Sequence, residues 1–105
     1  QITEIGDGAF DFCKSLTAID VVLSNTAFSS SESVLLTKSG DVLLKYPEAK
    51  NSTVYMVPGT VKEISESAFR DAVNLRSGTI PEECIKIDSM AFMGCTSLTT
   101  VILPD

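Results

Sequence analysis

The sequence contains no histidine and no tryptophan, and basic residues are scarce. Without histidine, the chain lacks the commonest general base, proton shuttle and neutral metal ligand. Eight Lys and Arg residues stand against 14 Asp and Glu, giving a net charge of −6 over 105 residues. This balance argues against nucleic acids and anionic membranes as partners, because phosphate-rich surfaces require Lys and Arg. Apolar runs also fall far short of the roughly 20 residues that span a bilayer. These absences favour a folded acidic module.

Cysteine is present but does not form a recognisable site. Cys13, Cys84 and Cys95 are odd in number, and none belongs to a Cys-x-x-Cys pair. Complete internal pairing is therefore impossible, and a structural zinc site is disfavoured. Each cysteine lies among apolar neighbours, which predicts free thiols packed as small hydrophobic side chains. The chain also lacks nucleotide-binding and nucleophile motifs. We expect no catalysis, no cofactor and no bound metal.

An internal repeat is the strongest signal in the sequence. Six apolar positions recur 23 residues apart, first as Val61, Ile64, Ala68, Phe69, Ala72 and Leu75, then as Cys84, Ile87, Ala91, Phe92, Cys95 and Leu98. The same template occurs near the start of the chain, as Ile2, Ile5, Ala9, Phe10, Cys13 and Leu16. Such self-similarity is typical of stacked repeat architectures. The alternative is an ordinary α/β domain with coincidental spacing.

Each repeat has two parts. Residues 75–81 and 98–104 begin at the Leu, alternate between outward and inward positions and end at proline. Residues 54–58 share this register and residues 16–21 align with it, which predicts short strands. The Ala-Phe block follows Ser or Asp residues suited to helix capping, which predicts a helix of one or two turns. Stacked side by side, such units give a parallel sheet on one face and short helices on the other.

We therefore predict an α/β repeat solenoid of the leucine-rich-repeat type, because a 23-residue period falls within the range of about 20–29 residues for such repeats. The repeats are expected at about residues 1–21, 55–80 and 81–105, with Phe10, Phe69 and Phe92 aligned in the interior. The intervening stretch, about residues 24–53, is predicted to be an inserted β-hairpin. Its Ser39-Gly40-Asp41 centre separates two short β-prone runs. The hairpin either covers the sheet or grips a ligand.

The repeat resembles that of the BspA-like leucine-rich-repeat family, whose pattern includes Ile-x-x-x-Ala-Phe-x-x-Cys-x-x-Leu. Residues 57–105 follow this pattern almost throughout, and residues 1–21 match it again. The stretch from Ser30 to Pro47 is similar to an insertion found in the same family. The resemblance implies a right-handed coil and a place in a longer surface or secreted protein that adheres to host proteins, matrix or cells. Any signal or anchor would then lie outside these residues.

The predicted strands suggest a binding surface. If Tyr55, Val57 and their equivalents point inward, period-2 alternation places the intervening residues outward. We expect a partner to bind this row, which comprises Asp20, Met56, Thr79 and Ile102 flanked by Ser77 and Thr100. The alternative function is a structural spacer within a larger surface protein, with no ligand of its own. Apolar edges on the terminal units also predict end-to-end self-association.

Overall fold

The computed structural model describes residues 2–6 and 8–104. Across these residues there are eight short strands and no helix. The strands are β1 (Phe28–Ser31), β2 (Val34–Thr37), β3 (Val42–Lys45), β4 (Val54–Met56), β5 (Glu63–Ile64), β6 (Ser77–Thr79), β7 (Lys86–Ile87) and β8 (Thr100–Ile102).

One sheet is parallel and follows the repeat directly. Strands β4, β6 and β8 lie side by side, with Tyr55 opposite Gly78 and Gly78 opposite Val101. Each partner is 23 residues from the next, so equivalent residues of successive units occupy equivalent places in the sheet. The strands are short because each unit contributes only a few extended residues before the chain turns back to the opposite side.

The second sheet joins the repeats to the hairpin. Its order is β1-β2-β3-β5-β7, with β1, β2 and β3 antiparallel and β3, β5 and β7 parallel. The turn between β2 and β3 contains Gly40 at a φ of 77°, a conformation that glycine adopts without steric cost. Thr60 donates a hydrogen bond of 2.9 Å from its hydroxyl to the Gly40 carbonyl, which ties this turn to the next unit. Strand β3 therefore belongs both to the hairpin and to the repeat stack.

The predicted helices do not occur in the described residues, where the Ala-Phe blocks form successive turns instead. In the block at residues 65–72, the amides of Ala68, Arg70 and Ala72 bond three residues back at 3.1 Å. The intervening amides of Phe69 and Asp71 donate to Ala91 and Met93 of the next unit, at 2.7 and 2.8 Å. An α-helix needs every interior amide to bond four residues back. Here hydrogen bonds to the next unit replace part of that i to i−4 pattern, so the helix prediction was wrong.

The interior contains an aromatic stack that differs from the predicted one. Phe69 and Phe92 are stacked, with ring centroids 4.8 Å apart and planes 10° apart. The third ring is Tyr46, whose centroid lies 5.1 Å from that of Phe69. Phe10 is only half-buried and lines cavities beside the stack. The predicted alignment of Phe10 with Phe69 and Phe92 is therefore wrong.

Tyr46 takes this place because the hairpin re-enters the repeat register. It precedes Phe69 by 23 residues, and its amide donates to Ala68 at 2.8 Å just as the Phe69 amide donates to Ala91 at 2.7 Å. Tyr55 packs edge-on against it at 5.2 Å. Residues 42–57 thus form a unit of the stack, and its interior includes Leu43, Tyr46, Tyr55 and Val57, all buried.

Candidate functional site

The outward residues of strands β4, β6 and β8 form one continuous surface, which we call the strand face: Val54, Met56, Ser77, Thr79, Thr100 and Ile102. Met56 lies opposite Thr79, which in turn lies opposite Ile102. These residues form two rows across the sheet, one from Val54 to Thr100 and one from Met56 to Ile102. Between the rows, Tyr55 and Gly78 are buried and Val101 is half-buried. Five of the six residues predicted from the sequence therefore lie together: Met56, Thr79, Ile102, Ser77 and Thr100.

Asp20 is the exception, because it does not belong to this sheet. Its neighbours Ile19 and Val21 donate their amides to Ser33 and Ser30 near the β1–β2 turn, both at 2.9 Å. The Asp20 carboxylate accepts a hydrogen bond of 3.1 Å from the Ser33 hydroxyl. In a regular stack, the neighbouring strand β4 would accept the hydrogen bonds from these amides. Here residues of the β1–β2 segment accept them instead.

The strand face carries no charge, and three of its six side chains are apolar. Met56 is 70% exposed, Ile102 is 53% exposed and Val54 is 59% exposed, while the remaining members are Ser and Thr. Leu103 is the equivalent of the buried Val57, and alternation therefore places it inward, but it is exposed beside Ile102. Apolar side chains held in register on a sheet are a feature of protein-binding surfaces, since their contact with a partner removes them from water.

The buried tyrosines and the Cys95 thiol are poorly suited to chemistry at neutral pH. Burial raises the pKa of Tyr46 to about 12 and raises that of Tyr55 further. Burial also raises the pKa of Cys95, whose thiol donates to the Phe69 carbonyl at 2.9 Å. All three cysteines are free, with Cys84 buried and the other two half-buried. A thiol with a raised pKa is a poor nucleophile near neutral pH.

Two cavities flank the first repeat. The larger, of about 630 Å³, lies between residues 5, 6 and 8–11 and strand β3, and its lining includes Lys45. The smaller, of about 420 Å³, is mainly apolar and is lined by residues that include Ile2, Ile5, Phe10, Ile19, Val21 and Phe28. Within residues 2–6 and 8–104, no three His, Cys, Asp or Glu side chains are grouped to hold a metal ion. In the same part of the chain, no helix is long and apolar enough to cross a bilayer.

The stacked parallel strands and the 23-residue register define a leucine-rich-repeat protein. Six copies of the BspA type leucine-rich repeat region match the sequence, over residues 1–38 and 48–105. The chain therefore belongs to the BspA type leucine-rich-repeat family. A comparison with curated proteins gave no match.

Known crystal structures share this fold. The pneumococcal vaccine antigen PcpA is 32% identical with a TM-score of 0.84, over 87% of this chain and 22% of the antigen. A leucine-rich cell surface protein from Faecalibacterium prausnitzii is 28% identical with a TM-score of 0.86, over 96% of this chain and 27% of that protein. A leucine-rich repeat protein from Eubacterium ventriosum is 25% identical with a TM-score of 0.69, over 95% of this chain and 32% of its own length. The chain thus spans a third or less of each relative.

Proposed function

We propose that this chain is a non-catalytic recognition module of a cell-surface or secreted protein and that it binds a protein partner, from a host surface or extracellular matrix, through the strand face. In this proposal the units wind as a right-handed solenoid, which keeps the strand face continuous. The names of two relatives, a vaccine antigen and a cell surface protein, support a location outside the cell.

The exposed apolar row is the observation on which the proposal depends. Met56 and Ile102 stand at the two outer strands, with the small polar Thr79 between them. Each long side chain could enter an apolar depression on a partner, while backbone bonds between the strands hold both in fixed positions. A row without charge also suits a partner of either sign, because no buried charge would need a counter-ion.

The test compares two variants of the purified chain coupled to beads. Met56→Asp with Ile102→Asp adds two charges to the strand face, and Ile85→Asp adds one charge at a residue that is 86% exposed outside it. Beads are counted on cultured epithelial cells and on plates coated with basement-membrane extract. We expect the double variant to lose binding by at least about tenfold, since a charge at an apolar contact must be desolvated.

The Ile85→Asp control is expected to bind like the unaltered chain. Circular dichroism establishes that both variants keep the fold. If folded Met56→Asp/Ile102→Asp beads bind as well as unaltered beads, the strand face is not the binding surface.

A structural spacer is the second candidate. The chain covers only 22–32% of the related structures, so one short stretch of repeats could serve to extend a longer protein. The bead assay separates the candidates, because a spacer leaves even the unaltered chain without binding. A spacer also predicts that a longer surface protein keeps its adhesion when these strand-face residues are replaced.

A further inference from the structure

Lys45, Glu48 and Asp11 form a group of charged side chains at the end of β3, and two of them are buried. The Lys45 side chain is 5% exposed and that of Glu48 is 3% exposed. Lys45 Nζ lies 3.8 Å from Glu48 Oε2 and 4.0 Å from Asp11 Oδ1. Asp11, in the turn of the first repeat, is 29% exposed. This group brings together the first repeat and the stack.

The contacts of this group are unusual for a buried ion pair. Charge-assisted N–H···O bonds are about 2.7–2.9 Å long, and both distances here exceed that range by about 1 Å. Among the described residues, neither Lys45 Nζ nor Glu48 Oε2 has a hydrogen-bond partner. Buried charges that lack direct hydrogen bonds are costly, because the attraction between them does not offset the loss of water. An amide between Lys45 and Asp11 would remove two of the three charges from this group.

We propose that the side chains of Lys45 and Asp11 condense into an intramolecular amide bond. The Lys45 amine attacks Cγ of Asp11, a new Nζ–Cγ bond forms, and one carboxyl oxygen leaves as water. An ammonium and a carboxylate thus become one neutral amide and one water molecule, with no oxidant or reductant. Holding both groups in one place supplies the proximity that makes such a condensation feasible.

Glu48 is positioned to move the proton. Nζ starts as an ammonium and loses two protons: one passes to the Asp11 carboxylate before the amine attacks, and the other passes through Glu48 Oε2 to the departing oxygen, which leaves as water. Asp11, and not Glu48, is the carboxyl group that condenses, because Asp11 lines the cavity of about 630 Å³ through which water can leave. Among the described residues, the other acidic residues that line this cavity are Glu66 and Asp88, and Asp88 is already paired with Lys86 at 3.4 Å.

The bond would fasten the first repeat to the stack. The non-covalent contacts between them include a 2.8 Å hydrogen bond from the Ala49 amide to the Leu16 carbonyl, and the Arg70 guanidinium lies 5.0 Å from the Phe12 ring centroid. An amide from Asp11 to β3 would keep the repeat in place even when these contacts open. This inference does not depend on the proposed binding function.

Mass spectrometry of the purified chain tests the proposal. The intact mass should fall below that of the linear sequence by one water. Trypsin should then release residues 1–14 joined to residues 39–50, since cleavage after Lys45 is blocked. The peptide map is necessary because cyclisation at Asp7-Gly8 also loses water, whereas cyclisation of Gln1 loses ammonia. A linear map, a cyclised Asp7 or a link between Lys45 and Glu48 would each overturn the proposal.

Three variants assign the roles. Asp11→Ala and Lys45→Arg should restore the linear mass, and Glu48→Gln should leave most of the chain linear. Asp88→Asn, which alters the same cavity, should keep the cross-link. Full cross-linking in Glu48→Gln would overturn the assigned role of Glu48. The tryptic peptide map of the unaltered chain shows whether Lys45 and Asp11 are joined, even if a variant does not fold.

Discussion

Replacing Tyr46 tests whether the hairpin truly completes the interior stack. Tyr46 is fully buried, and its ring contacts those of Tyr55 and Phe69 at 5.2 and 5.1 Å. Truncating a buried aromatic side chain to alanine costs about 3–5 kcal/mol, which includes about 0.5–1.5 kcal/mol for each ring pair. We therefore expect Tyr46→Ala to lower the free energy of unfolding by about 4 kcal/mol. Phe10→Ala should cost less than half as much, because Phe10 is only half-buried.

A smaller change at the same residue should have the opposite sign. The Tyr46 hydroxyl is buried without a hydrogen-bond partner in the described part of the chain. Leaving such a group unsatisfied costs about 1–3 kcal/mol. Tyr46→Phe keeps the ring and removes the hydroxyl, so it should stabilise the fold by about 1 kcal/mol.

Urea unfolding followed by circular dichroism measures all three variants, and equal m-values show that the same surface is exposed in each. Two results would refute the reasoning. Either Phe10→Ala costs as much as Tyr46→Ala, or Tyr46→Phe destabilises the chain by more than about 1 kcal/mol.

Three further predictions concern other parts of the molecule. Because burial raises the pKa of Tyr46 from 10.0 to about 12, the neutral Tyr46 side chain stabilises the fold fully below pH 10, and this contribution should be lost as the pH rises through 12. Absorbance of tyrosinate against pH checks this, and titration of Tyr46 at its ordinary pKa in the folded chain would contradict it. Gly94→Ala should lower the melting temperature, since Gly94 has a φ of 76° and an added Cβ would meet the Asp71 carboxylate. The exposed Ile85 predicts association at high concentration. Light scattering should show less of it for Ile85→Asp, and a strictly monomeric unaltered chain would contradict this prediction.

The period and the strand register could be predicted from the sequence because each repeated residue fills an equivalent interior place. Val61, Ala68, Phe69 and Leu75 are all buried, and their spacing alone fixes which residues of β4, β6 and β8 are neighbours. The strand-face row follows from that register by simple alternation.

The helices could not be predicted correctly because the deciding bonds lie between units. Ser65 and Ser67 have the composition of helix caps, but Ser67 adopts a φ of 62° and Asp71 one of 59°. These left-handed residues interrupt a helix, and local preference does not reveal that the next unit offers carbonyls to the free amides.

The places of Tyr46 and Asp20 required knowledge of how the hairpin folds. The 23-residue spacing from Tyr46 to Phe69 was a usable signal, but a β-hairpin prediction alone does not say that its second strand joins a parallel sheet. Nothing in the spacing indicates that Ser33 binds Asp20, since that contact depends on the conformation of the β1–β2 turn.

The amides of Phe69 and Asp71 donate to carbonyls of the following unit, so the turn between β5 and β6 is complete only when the turn after β7 is also formed. Opening one unit therefore leaves donors in its neighbour without partners. Loss of structure should therefore spread from the outermost turns toward Phe69. Amide hydrogen exchange should accordingly become slower from the outermost turns toward Phe69.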